Sequence, residues 1–249
     1  ASQIGLQRFG SGREQLSKVK CCRGPLWGCC GHGRCLRSGR GDNAAPPATL
    51  LRSPMSLAAE IADTAARLVV EDGLEYGPAK RHALQQLGLP ARTPLPDNDQ
   101  LEAAVAEYIA LFCADTQPAE LRALRRVALT WMERMADFRP HLAGAVWHGT
   151  ATRLSDIYLQ LFCDDPKSAE ILLIDRQVSY DPSTVQGFHG QPVEALTLGQ
   201  AAPELGTVVG VHLLIYDLDD LRGALRPDAR GRTPRGDTAA VRRLLEQAA

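Results

Sequence analysis

At 249 residues the chain is long enough for one large domain or two small ones with a buried core. A net charge of -1 at pH 7 hides an asymmetry: residues 1–54 hold nine Lys or Arg against only Glu14 and Asp42, which leaves the remainder about eight charges negative. Such a body repels phosphate backbones, which excludes strong nucleic-acid binding by it, and no apolar run approaches the roughly eighteen residues a membrane helix needs.

Residues 1–54 carry no sustained helical or strand period, and the stretch "AAPPATLLRSP" ends them just before Met55. The expectation is a disordered leader outside the native fold, an upstream extension with too little apolar surface to offset its chain entropy, and Met55 as the true start. Cys21, Cys22, Cys29, Cys30, His32 and Cys35 crowd into it and raise a zinc reading. Against that reading, no Cys-x2-Cys pair occurs and the cysteine doublets point neighbouring thiols apart. Its arginines could also touch nucleic acid as a flexible arm. The leader lacks the apolar core of a secretory signal, and Cys113 and Cys163 sit in apolar runs as reduced small hydrophobes. Together these point to a reducing cytoplasm.

From 55 to 140 the punctuation is helical. Ser56 is placed to cap a first helix that Gly73 ends; Pro78 opens a second that Gly88 closes; Asp97 or Asp99 caps a third over "QLEAAVAEYIALFCA". Pro118 opens the longest, where Leu121, Leu124, Ala128, Trp131, Met135 and Phe138 recur at steps of three and four. This seam over 118–139 is read as a core-facing stripe, with a homo-oligomer interface as the alternative. Lys80 and Arg81 are read as solvent contacts rather than substrate ligands.

After Pro140 the period changes. "LAGAVWHG" reads as a short buried strand, "SDIYLQLFC" as an alternating one, and "DDPKSAEILLIDRQ" as a helix. "VSY", "VEALTL" and "TVVGVHLLIYD" follow as strands, with "DLDDLRGAL" and "TAAVRRLLEQAA" as closing helices. "LRPDARGRTPRGD" reads as a Gly/Pro-rich loop whose arginines either fold over an anion or stay solvated. The scattered histidines, His148 next to Gly149 included, are read as structural or surface residues, with a ligand contact by His148 as the alternative.

The run "GTATRLSDIYL", Gly149 to Leu159, resembles the nucleotidyltransferases of the DNA-polymerase-beta type, in which Gly-Ser, a loop and Ser-Asp-x-Asp-Leu follow an apolar strand. The resemblance covers about Leu142 to Asp217, and "AARLVVEDGLEYGPAKRHAL" is similar to poorly characterised proteobacterial proteins bearing that domain. It implies an α+β chain: a helical region over 55–140, then a nucleotidyltransferase-like mixed sheet with flanking helices over 141–249. It further implies that Gly149, Thr150 and Ser155 hold phosphate, that Asp156 is the catalytic magnesium ligand, and that Glu194 is the further acid. The activity implied is transfer of a nucleotidyl group from an NTP to an unknown acceptor with Mg2+. Two departures stand against catalysis: Tyr158 occupies the second carboxylate position, and the turn from Thr150 to Asp156 is about five residues short. The alternative is a noncatalytic nucleotide-binding or protein-interaction module on the same fold. No Gly-x4-Gly-Lys-Ser/Thr phosphate loop occurs, which excludes an ATP-dependent ligase built on such a loop.

Overall fold

Helix starts follow from local capping. The computed structural model describes residues 56–188, 190–228 and 231–247, so the leader with its cysteines, Met55 and His189 lie outside the described residues. Ser56, in extended backbone, accepts from the Ala59 N–H at 3.2 Å and opens α1 (Leu57–Asp72). α2 is Tyr76–Gln86, so Pro78 falls at its third residue rather than its first. α3 (Asn98–Phe112) begins with a capping box: Asp97 accepts from the Gln100 N–H at 2.7 Å, and the Gln100 side chain accepts from the Asp97 N–H at 3.1 Å. The faces these helices bury, including Ile61, Ala65 and Leu68, Ala83, and Leu101 and Val105, meet in one cluster. Alanines at the contacts let α1 approach its neighbours closely.

α4 (Gln117–Arg134) belongs to a different core. Its Leu124, Ala128 and Trp131, together with Met135 and Phe138 just beyond it, are buried with the leucines of the sheet. The apolar seam is thus spent largely inside the chain. The break at residue 140 marks where strands begin but does not divide the cores, because α4 packs on the sheet that follows it. The described residues, from 56 to 247, form one compact unit.

The remaining elements are β1 (His141–Ala143), α5 (Gly144–His148), β2 (Ile157–Cys163), α6 (Lys167–Asp175), β3 (Asp181–Gln186), β4 (Pro192–Ala202), β5 (Thr207–Asp217), α7 (Leu221–Ala224), β6 (Arg235–Asp237) and α8 (Thr238–Gln247). The six strands form one mixed sheet in the order β3-β4-β5-β2-β1-β6, with β2 and β5 parallel and every other pair antiparallel. The architecture is α+β. Period-two alternation sorts the two faces: Ile157, Leu159 and Leu161 of β2 and Val211, Leu213 and Ile215 of β5 point into the core shared with α4. Tyr158, Gln160 and Phe162, with their register partners His212, Leu214 and Tyr216, point to the opposite face. Among the described residues no helix is long and apolar enough to cross a membrane.

Four local expectations are corrected. "LAGAVWHG" is a strand only through Ala143; Gly144 then takes φ 71, a left-handed conformation open to glycine, and α5 starts there. "VSY" is not a strand, and pairing with β4 instead creates β3 from the wholly exposed "DPSTVQ", whose side chains carry no alternation to read. "DLDDLRGAL" forms a short 3-10 turn and the four-residue α7 rather than a full helix. Within the supposed arginine loop, Arg235–Asp237 becomes β6, held by its register with β1.

Candidate functional site

The open face of the sheet, with the α1–α2 loop, α3 and α5 beside it, bounds a cleft of about 570 Å³. That lies within the range of roughly 300–1,000 Å³ typical of small-ligand sites. β2 and β5 provide its floor. Register places Tyr158 beside His212, and their rings stack at 4.6 Å with 16° between planes. His212 also pairs across to β4, where Thr197 Oγ1 lies 2.9 Å from His212 Nδ1. The other ring nitrogen, Nε2, faces Asp156 Oδ2 at 3.3 Å.

Asp156, the last residue before β2, accepts at Oδ1 from the Gly210 N–H at 3.1 Å and keeps a half-exposed side chain on the cleft wall. This geometry needs a glycine opposite: a Cβ on Gly210 would sit 2.7 Å from Asp156 Oδ1. Because the obstructed atom ends a short rotatable side chain, Gly210→Ala should change stability by less than about 1 kcal/mol. Its effect should fall on the carboxylate's position. Ligand affinity is expected to drop roughly tenfold, about 1.4 kcal/mol, in calorimetric titration, while the urea midpoint stays near that of the parent.

Tyr158 gives up nothing to a metal. Its hydroxyl donates to Glu75 Oε1, which the residue before α2 extends across the cleft. Burial, then the hydrogen bond and charge of Glu75, then the charge of Asp156, push the phenol well above its ordinary pKa and hold it protonated. On the opposite wall the His148 ring meets Glu102 at Nδ1, and Arg232, from the loop before β6, reaches Glu102 at 3.7 Å. The lining therefore carries four carboxylates, those of Glu75, Asp99, Glu102 and Asp156, against two histidines; among the described residues no Lys or Arg lines it. A second cavity of about 220 Å³ lies between α4 and the end of β4, over the Arg126–Glu204 ion pair and away from these groups.

Of the residues singled out from sequence, the structure brings His148, Ser155 and Asp156 to the cleft and leaves Gly149, Thr150 and Glu194 elsewhere. Ser155 accepts from the Thr152 N–H at 3.0 Å and so shapes the turn that aims Asp156. Gly149 turns toward α4 instead, its carbonyl accepting from Gln117 Nε2 at 2.9 Å, and Thr150 is buried outside the lining. The glycine corner beside the cleft is Gly144–Ala145, with ten residues between it and Asp156. Glu194 stands level with Ile215, whereas Asp156 adjoins Gly210. Five residues of strand separate the two levels, roughly 16 Å. Glu194 alternates with Leu196 and Leu198 toward the covered face and pairs with Lys167 at 3.0 Å.

A two-magnesium centre needs several carboxylates on one spot. The residues present do not fit it: Asp156 has partners at both oxygens, residue 158 is a protonated phenol, and Glu194 is remote. Among the described residues no three His, Cys, Asp or Glu converge as a metal set. Sequence reasoning missed Glu75, His212 and Thr197. Glu75 reaches the site only through docking of α2, and the other two only through strand register. No protein-family model, no curated protein and no solved structure matches this chain.

Proposed function

We propose that the chain is a noncatalytic ligand-binding module on a nucleotidyltransferase-like sheet, and that its cleft takes a nucleoside or the nucleoside end of a nucleotide. The observation that carries this reading is the half-exposed Asp156 carboxylate on the cleft wall, held beside the stacked Tyr158 and His212 rings. Carboxylate oxygens accept from ribose hydroxyls, and a planar aromatic wall suits a base. The four acids disfavour a bare triphosphate at the mouth.

A second reading, nucleotidyl transfer from a magnesium–NTP to an acceptor, draws on the ten-residue interval between Gly144–Ala145 and Asp156. Calorimetric titration of the full chain with the four ribonucleosides and the four NTPs, with and without magnesium, separates the two. Binding of a nucleoside without magnesium, weakened about tenfold or more by Asp156→Asn, is the expected result. Binding that demands magnesium and a triphosphate would favour transfer. Heat signals indifferent to Asp156→Asn, or none at all, would remove the cleft reading.

A further inference from the structure

Arg235 is buried, with 7% of its surface exposed, yet among the described residues neither its Nε nor its Nη1 has a hydrogen-bond partner. The chain shows what a satisfied buried arginine looks like elsewhere. Arg125, equally enclosed, donates to the Val146 carbonyl at 3.1 Å and the Trp147 carbonyl at 3.3 Å. Arg235 has instead the Phe188 ring, 4.3 Å from its guanidinium carbon. A ring face offsets part of the lost hydration of a cation but takes up none of its directed N–H donors. Burial accordingly depresses the tendency of this guanidinium to stay charged, and only the nearby Tyr216 oxygen opposes that.

The direction of the side chain follows from register. Arg235 pairs with Ala143 and Ala143 with Tyr158, and paired residues share a face, so Arg235 projects on the cleft side of the sheet. Gln160, on that same face, is also buried at 7%, and its Oε1 lacks a partner among the described residues. Strand spacings put the two Cα atoms roughly 12 Å apart, within joint reach of one bound group. Gln160 stands in the row of the cleft residues Leu214 and Ala195, and Arg235 in the row of Tyr158 and His212, so unsatisfied donors and an unsatisfied acceptor look onto one side of the sheet.

The geometry points to Arg235 as the seat of an oxyanion, the phosphate or carboxylate of a ligand that also offers a hydroxyl to Gln160. This rests on reading that face of the sheet as a ligand site. The fork of a guanidinium matches either anion with two parallel hydrogen bonds, and a low-dielectric seat strengthens both. The acid-rich mouth and the basic inner seat would then orient a ligand with its anionic group inward.

The test is thermal unfolding of the full chain at constant ionic strength in chloride, phosphate, pyrophosphate, acetate and lactate, with adenosine and adenosine monophosphate as further arms, for the parent, Arg235→Met and Arg235→Lys. Phosphates or carboxylates should raise the parent's midpoint saturably by about 3 °C or more. The arm that responds identifies the anion class. Arg235→Met should unfold in chloride no lower than the parent, because it removes an unpaired buried charge, and should lose the anion response; Arg235→Lys should keep only part of it. An equal anion response in Arg235→Met, no saturable response in the parent, or a much lower chloride midpoint for Arg235→Met would each overturn the assignment. Adenosine reports the cleft without the anion, so failure of the cleft reading silences that arm while inorganic phosphate still reports on Arg235.

Discussion

Leu213→Ala should lower folding stability by about 3–4 kcal/mol, read as a fall in the urea midpoint at unchanged slope. Leu213 is fully buried on β5 and stands in register between Leu159 of β2 and Leu196 of β4, so three leucines cross the covered face as one row. Truncation leaves a void that rigid neighbouring strands cannot collapse, and the lost contacts add to the lost transfer energy. Leu214, the next residue, points to the other face and lines the cleft. Its replacement by alanine opens onto existing space, so it should cost only about 2 kcal/mol. Equal losses at the two positions would mean that the covered and open faces have been assigned wrongly.

Gly236→Ala is expected to be about as damaging, near 3 kcal/mol, although it adds a single methyl group. A Cβ on Gly236 would lie 2.1 Å from two atoms of the Trp147 ring, far inside van der Waals contact. The ring cannot easily withdraw, because its Nε1 donates to the Thr233 carbonyl at 2.7 Å. The clash therefore pushes β6 off β1 or tears the indole from its anchor, and either movement shifts Arg235, the neighbour of Gly236 on β6. Trp147→Leu should cost stability alone but relieve the alanine, so the double variant should be less destabilised than the two losses added together. Additive losses in urea titration would show that the indole is not what Gly236 accommodates.

These two sites mark different depths of legibility. Ile157, Leu159 and Leu161 alternate along β2 and made that strand legible in the chain, and β5 was read as a strand too, although its adjacent Leu213 and Leu214 are both buried, on opposite faces. The capping of α1 by Ser56 was equally plain, whereas for α3 the chain left Asp97 and Asp99 open and the structure shows Asp97 acting on an N–H three residues away. β3 and β6 had no such signal: one is wholly exposed and the other three residues long, and both exist because a neighbouring strand offers a free edge. The candidate site divides the same way. Asp156 was found because it sits at a strand entrance after a turn. Glu75 and Arg235 were not, because they lie 81 residues before and 79 after it and reach that face of the sheet only when the elements dock. Gly149 was read as the corner for a related reason: only the path of α5 decides that Gly144 is the glycine facing the cleft.

Sequence alone determined the start of α1, the alternation of β2, the negative body and the aspartate at the mouth of β2, none of which requires distant residues to meet. Tertiary structure decided which face of the sheet stays open, that Tyr158 is capped by Glu75, that Glu194 is carried away from Asp156, and that Arg235 is buried without a partner. Register and docking set those outcomes, and both are properties of residues far apart in the chain, whose meeting no local period encodes.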